Sequence, residues 1–136
     1  MDHLPPDRSV EFTVLGEPHG YVAKAVWQND RAKEYWAYCE KVRIMAKQAG
    51  LALPLHAAEK SPIMVFAVCF FGRRNHFDTE NVLKGLKDSL FYHADGGDRF
   101  TGSACFPPLY DHKNPRVLVT VEWWNMDKLK KEYGLE

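Results

Sequence analysis

Net charge is what this sequence most plainly lacks: its 18 lysines and arginines are balanced by 18 aspartates and glutamates. The balance counts against a purely electrostatic nucleic-acid binder, but not against one whose bases cluster while its acids hold metal. Cysteine is scarce. Cys39, Cys69 and Cys105 are far apart, odd in number and without a zinc-type pair. Cys39 and Cys69 fall in apolar contexts and read as buried free thiols in a reducing cytoplasm. The most apolar run, Pro62 to Phe71, is too short to cross a bilayer. Met1 to Pro6 lacks the charged-then-apolar pattern of a signal peptide. A cytoplasmic protein with no membrane partner is expected. Internal repeats and low-complexity segments are absent too.

What remains is an ordinary globular composition, 46% hydrophobic and 26% charged over 136 residues. That length predicts a single domain over 1–136, burying roughly 68% of its unfolded surface. The stretch that organises the chain runs from Gly72 to Leu90. From about Thr79, the residues Val82, Leu83, Leu86 and Leu90 recur at helical spacing and fall within about 100° of one another. Glu80, Asn81, Lys84 and Asp88 occupy a second arc of about 100° on the opposite face. Asp78 stands at the entrance, where a short oxygen-bearing side chain caps a helix.

A solvated helix face explains part of this. Glu80 and Lys84 form an i,i+4 pair in the favoured order, and Asp78 and Glu80 suit the helix dipole. The surroundings add more. Arg73, Arg74 and His76 stand just before the two carboxylates, and a second acidic group, Asp95 and Asp98, follows the helix. Gathered carboxylate oxygens suit Mg²⁺ or Mn²⁺, and adjacent bases suit a polyanionic substrate.

The segment His76-Phe-Asp78-Thr-Glu80-Asn81-Val-Leu-Lys84-Gly-Leu-Lys-Asp88-Ser-Leu90, with Asp98 after a short turn, resembles the core of the RusA-type Holliday junction resolvases. That family's pattern is Asp-x-Asp-Asn-[apolar]-x-Lys-x-x-x-Asp-[small]-Leu, a short spacer, then an Asp-Asp pair. Asp78, Asn81, Lys84, Asp88 and Leu90 match it directly. Glu80 replaces the second Asp, and Asp98 is followed by Arg99 rather than by another Asp, with Asp95 a possible substitute. The resemblance implies an α+β endonuclease that hydrolyses phosphodiester bonds of four-way or other branched DNA in recombination and repair. It implies Mg²⁺ (or Mn²⁺) held by Asp78, Glu80 and Asp98, with Lys84 stabilising charge on the phosphate. Asn81, Asp88 and Asp95 would be supporting or alternative groups, Asp88 orienting Lys84 or Asn81. Arg73, Arg74, His76, Lys87 and Lys24, the last in the loop where the resolvases commonly carry bases, would meet DNA. A homodimer is implied as well, because a four-way junction offers two symmetric strands.

In chain order, Ser9 to Leu15 alternates around Val10, Phe12 and Val14 and reads as a half-buried strand. Gly16 to Gly20 ends it, and a longer connection runs to Asn29 with Tyr21, Lys24 and Trp27. A helix then starts at Asn29-Asp30 and ends near Gly50, with Ala32, Tyr35, Trp36, Cys39, Val42 and Ala46 as its core stripe. Leu51 to Ser61 reads as a linker, and Ile63 to Phe71 as an interior strand. A short strand is expected over Phe100 to Cys105, another over Arg116 to Trp124, and a short helix or frayed end from Asn125. The remaining histidines, His3, His19, His56 and His112, are expected at the surface. The order predicts a small α+β domain with a mixed sheet of three to four strands and two main helices. Three functions compete: a metal-dependent nuclease, a protein of the same fold that binds branched DNA but cuts poorly, and an α+β interaction domain whose acidic stripe is solvated surface.

Overall fold

The computed structural model describes residues 4–22, 30–92 and 98–135, Asp98 by its backbone alone. The chain forms β1 (Arg8–Leu15), α1 (Asp30–Gln48), β2 (Ile63–Phe71), α2 (Thr79–Leu90), a 3₁₀ turn (Asp98–Phe100), β3 (Thr101–Cys105), β4 (Leu109–Tyr110), β5 (Arg116–Trp123) and α3 (Met126–Glu132). The described residues make a small α+β domain with three helices and a mixed five-stranded sheet. The main strand order is β1-β5-β2-β3, and β4 adds a short pairing to β2. The pairings of β2 with β3 and with β4 are parallel; those of β5 with β1 and with β2 are antiparallel.

β2 is interior, as its unbroken apolar run requires. Ile63, Val65, Ala67, Cys69 and Phe71 point to one face and are fully or almost fully buried, beside Val117, Val119 and Val121 of β5. Both long helices pack on that face. α1 contributes Tyr38, Val42 and Ala46, and α2 contributes Val82, Leu83, Leu86 and Leu90. Met64, Phe66, Val68 and Phe70 turn to the other face and are half-buried. The segment from Leu51 to Ser61 is more than a linker, because Leu51 and Leu55 are part of the core and the Leu55 amide donates to the Leu90 carbonyl at 2.8 Å. Two thiols are inert by environment. Burial pushes Cys69 up to about 12 and raises Cys39 as well. Among the described residues no helix is long and apolar enough to cross a membrane.

Two placements correct the sequence reading. Trp36 is 43% exposed, and Tyr38 takes its place in the core stripe of α1. Trp36 follows Tyr35 by one residue, about 100° round the helix, so a narrow apolar stripe cannot bury both indole and phenol. His19 is not a surface histidine. Its ring packs 4.8 Å from Phe77 and 5.8 Å from Tyr38, with only 17% of the side chain exposed. The strand over Arg116–Trp123 and the helix from Met126 follow the expected pattern, and β4 is an addition too short to show periodicity.

Candidate functional site

The entrance of α2 is built by its own first turn. Asp78 is extended (φ −70°, ψ 157°) and its Oδ1 accepts the Asn81 amide at 2.6 Å, the N-cap expected of it. Asn81 ties the helix to the chain before α1. Its Nδ2 donates to the Tyr21 carbonyl at 3.2 Å, and its carbonyl accepts the Tyr21 amide at 3.2 Å. The approach is close enough to require glycine beside it, since a Cβ on Gly20 would lie 2.6 Å from Phe77 Cγ and 2.8 Å from Asn81 Nδ2.

Glu80, Lys84 and Asp88 are all exposed along one side of α2. They do not satisfy one another. Among the described residues Glu80 has no ion pair or hydrogen bond, so the expected i,i+4 bridge to Lys84 is not made. The Lys84 ammonium lies instead over the Tyr21 ring, 4.0 Å from its centroid, a contact worth about 0.5–1 kcal/mol at an exposed site. Asp88 accepts a hydrogen bond from the Tyr35 hydroxyl at 3.1 Å. Burial pushes the Tyr35 phenol far above its ordinary value, so it stays protonated and keeps donating. Asp88 is therefore positioned by α1, rather than by Lys84 or Asn81.

The basic residues before α2 are also anchored. Arg73 Nε lies 3.7 Å from Glu17 Oε1, while Glu17 Oε2 accepts the Gly72 amide at 2.8 Å. The Arg74 guanidinium covers the Tyr110 ring at 3.9 Å. His76 stacks on Phe71 at 3.6 Å. Its Nδ1 lies 2.6 Å from the Phe77 carbonyl and so carries the proton, leaving Nε2 to accept from the Tyr110 hydroxyl at 2.8 Å. Lys24 and Asp95 lie outside the described residues.

Asp98 is placed by its backbone alone. Thr101 pairs with Ile63 and Cys105 with Ala67, and the Cys105 thiol lies 3.5 Å from the Thr79 hydroxyl. The entrance of α2 is thus at the Cys105 end of β3, whereas Asp98 precedes its other end. The four residue steps of β3 cover about 13 Å, and Asp98 lies three residues beyond them. Asp78 and Glu80 share the first turn of α2, and the Asp98 backbone precedes the other end of β3. Among the described residues no three His, Cys, Asp or Glu side chains form a metal-holding group. Two carboxylates nevertheless suit Mg²⁺, which commonly takes one or two from a protein and fills its other positions with water and substrate phosphate.

The α2 face opens onto a groove of about 1300 Å³. One wall is a stripe of α1 (Trp36, Glu40, Arg43 and Lys47) and another is Glu80, Lys84, Lys87 and Asp88 of α2, with Tyr21 between and Ser103 to Cys105 at the edge. Among the described residues, Lys87 is the sequence-predicted DNA-contacting residue that shares this groove with Lys84. Tyr21, Trp36, Arg43 and Lys47 are lining residues that the sequence reading missed. The signal was there for α1: positions 36, 40, 43 and 47 fall on one helical face, and three of them are charged, which marks that face as exposed. Set against known proteins, the chain matches no family model and no curated protein.

Proposed function

We propose that the protein is a metal-dependent endodeoxyribonuclease acting on four-way or other branched DNA, with its reacting centre at the entrance of α2. The observation that carries this reading is the unpaired polar face. Glu80 and Lys84 stand one turn apart and decline each other, leaving a carboxylate free for a cation and an ammonium free for a phosphate. On a merely solvated helix the two would be expected to pair. Asp78 and Glu80 are the residues that would hold Mg²⁺ or Mn²⁺. Bound there, the ion would supply a polarised phosphate oxygen and a water of lowered pKa. Lys84 rests on an aromatic face from which little energy is needed to move it, and it neutralises charge building on the phosphate. Asp88, fixed by Tyr35, keeps an acid one turn beyond Lys84. The homodimer stays part of this reading through the resemblance to the resolvases, since two copies would meet the two strands to be cut.

A second reading, a junction binder that cuts poorly, is favoured by the backbone of Asp98 preceding the end of β3 that is not beside the α2 entrance. Incubating a labelled four-way junction and a linear duplex of the same sequence with Mg²⁺ or Mn²⁺, against an EDTA blank, separates the readings. Nicks in the junction that vanish with EDTA are expected. A junction bound but left whole with either ion would install the second reading, and a junction not bound at all would remove both.

A further inference from the structure

Among the described residues Trp36 is the most exposed tryptophan, and it is not isolated on the surface. It heads the α1 stripe that continues through Glu40, Arg43 and Lys47, a line about 16 Å long. Across the groove stand Lys84 and Lys87. Of the acids beside these cations only Glu40 is ion-paired among the described residues, which leaves Lys47, Lys84 and Lys87 facing Glu80 and Asp88. Glu40 pairs with Arg43 at 3.1 Å, and Asp88 takes the Tyr35 hydroxyl at 3.1 Å. Among the described residues Lys47 and Lys87 have no ion-pair partner. Trp36 and Tyr21 are backed by one buried ring: the Trp36 ring lies 5.4 Å from Tyr35, and Tyr35 lies 5.6 Å, edge-on, from the Tyr21 ring that carries Lys84.

We propose that this groove binds an unpaired, single-stranded segment of DNA, with a base stacked on Trp36 and its phosphates followed by Lys47 and Lys87. Exposed aromatic rings between spaced cations are how proteins hold single strands without reading sequence. A fully paired duplex keeps its base faces covered by their neighbours, so it cannot use the indole. This deepens the reading of the α2 site and rests on it for the assignment to DNA: the strand selected would be one already unpaired beside the branch point. The groove gives each element a task, stacking on α1 and charge on both helices, with the reacting turn at one end.

Fluorescence anisotropy of a labelled oligothymidylate, a blunt duplex and an oligouridylate, all without divalent metal, tests it. The single DNA strand should bind more tightly than the duplex. Trp36→Ala should weaken single-strand binding by a factor of about 5–150, the range for loss of one base–aromatic stack, and leave duplex binding unchanged. Trp36→Phe should retain most of the affinity, which excludes a folding defect. Lys47→Ala should lower the salt slope by about 0.7. Equal affinity for strand and duplex, or Trp36→Ala binding like wild type, would overturn the proposal, and a preference for oligouridylate would overturn its assignment to DNA. Because affinity is read without metal, it can fail while junction cleavage succeeds, or hold while cleavage fails.

Discussion

Asp78→Asn should abolish junction cleavage while costing the fold little stability. Asp78 has two tasks that one substitution can separate. Its Oδ1 caps α2 by accepting the Asn81 amide, and asparagine caps a helix about as well as aspartate. What asparagine removes is charge, and with it the better part of a site for a hard cation. The lost interaction with the helix dipole should cost only about 0.3–1 kcal/mol. Asp78→Ala is the contrasting variant, because it also removes the cap and should cost about 0.5–2 kcal/mol. Thermal unfolding and single-turnover cleavage of both variants check the pair. Retained cleavage in Asp78→Asn would leave the residue a cap and nothing more.

Lys84→Ala should lower the single-turnover rate on saturated junction by about 10²–10³, the usual loss when a group that stabilises developing charge is removed. Its effect on affinity should be much smaller. The comparison is Arg74→Ala, a cation outside the groove that lies over Tyr110. Arg74 would act by releasing counterions, so its loss should weaken binding to all DNA and flatten the salt dependence by about 0.9 of a unit. Lys84 differs in place, one turn from Glu80 and over a ring rather than a carboxylate. Rate and affinity measured across a salt series separate the two roles. A Lys84→Ala variant that turns over normally once saturated would make the lysine one more phosphate contact.

The parts of this fold that were legible in the sequence are those fixed by local rules. The bounds of β2 and the first residue of α2 follow from an unbroken apolar run and from an Asp in the cap position. α1 was legible as a helix but not in its facing. Tyr35, Trp36 and Tyr38 compete for one stripe, and the contest is decided by what waits across it: Gly85 gives Tyr35 room, with its Cβ position 3.1 Å from the Tyr35 ring. His19 escaped for the same reason, since its neighbours Tyr38 and Phe77 come from distant parts of the chain. The bond from Tyr35 to Asp88 joins residues 53 apart, and no spacing rule reaches that far. Asp98 shows the limit most sharply. The sequence sets it a short turn after α2, but the crossover from β2 through α2 to β3 puts its backbone before the Thr101 end of β3, while the entrance of α2 meets the Cys105 end.

The central claim is that Asp78 and Glu80, without Asp98, hold a divalent ion on the exposed turn that leads to Lys84. Titrating Mn²⁺ into ¹⁵N-labelled protein tests it most directly, because the paramagnetic ion broadens the amide signals nearest to it. The signals of Asp78 to Lys84 should fade first and should persist in the same titration of Asp78→Asn. Those of Asp98 to Gly102 should keep their intensity at metal levels that erase the first group. Fading centred on Asp98, or none at either end of β3, would contradict the account.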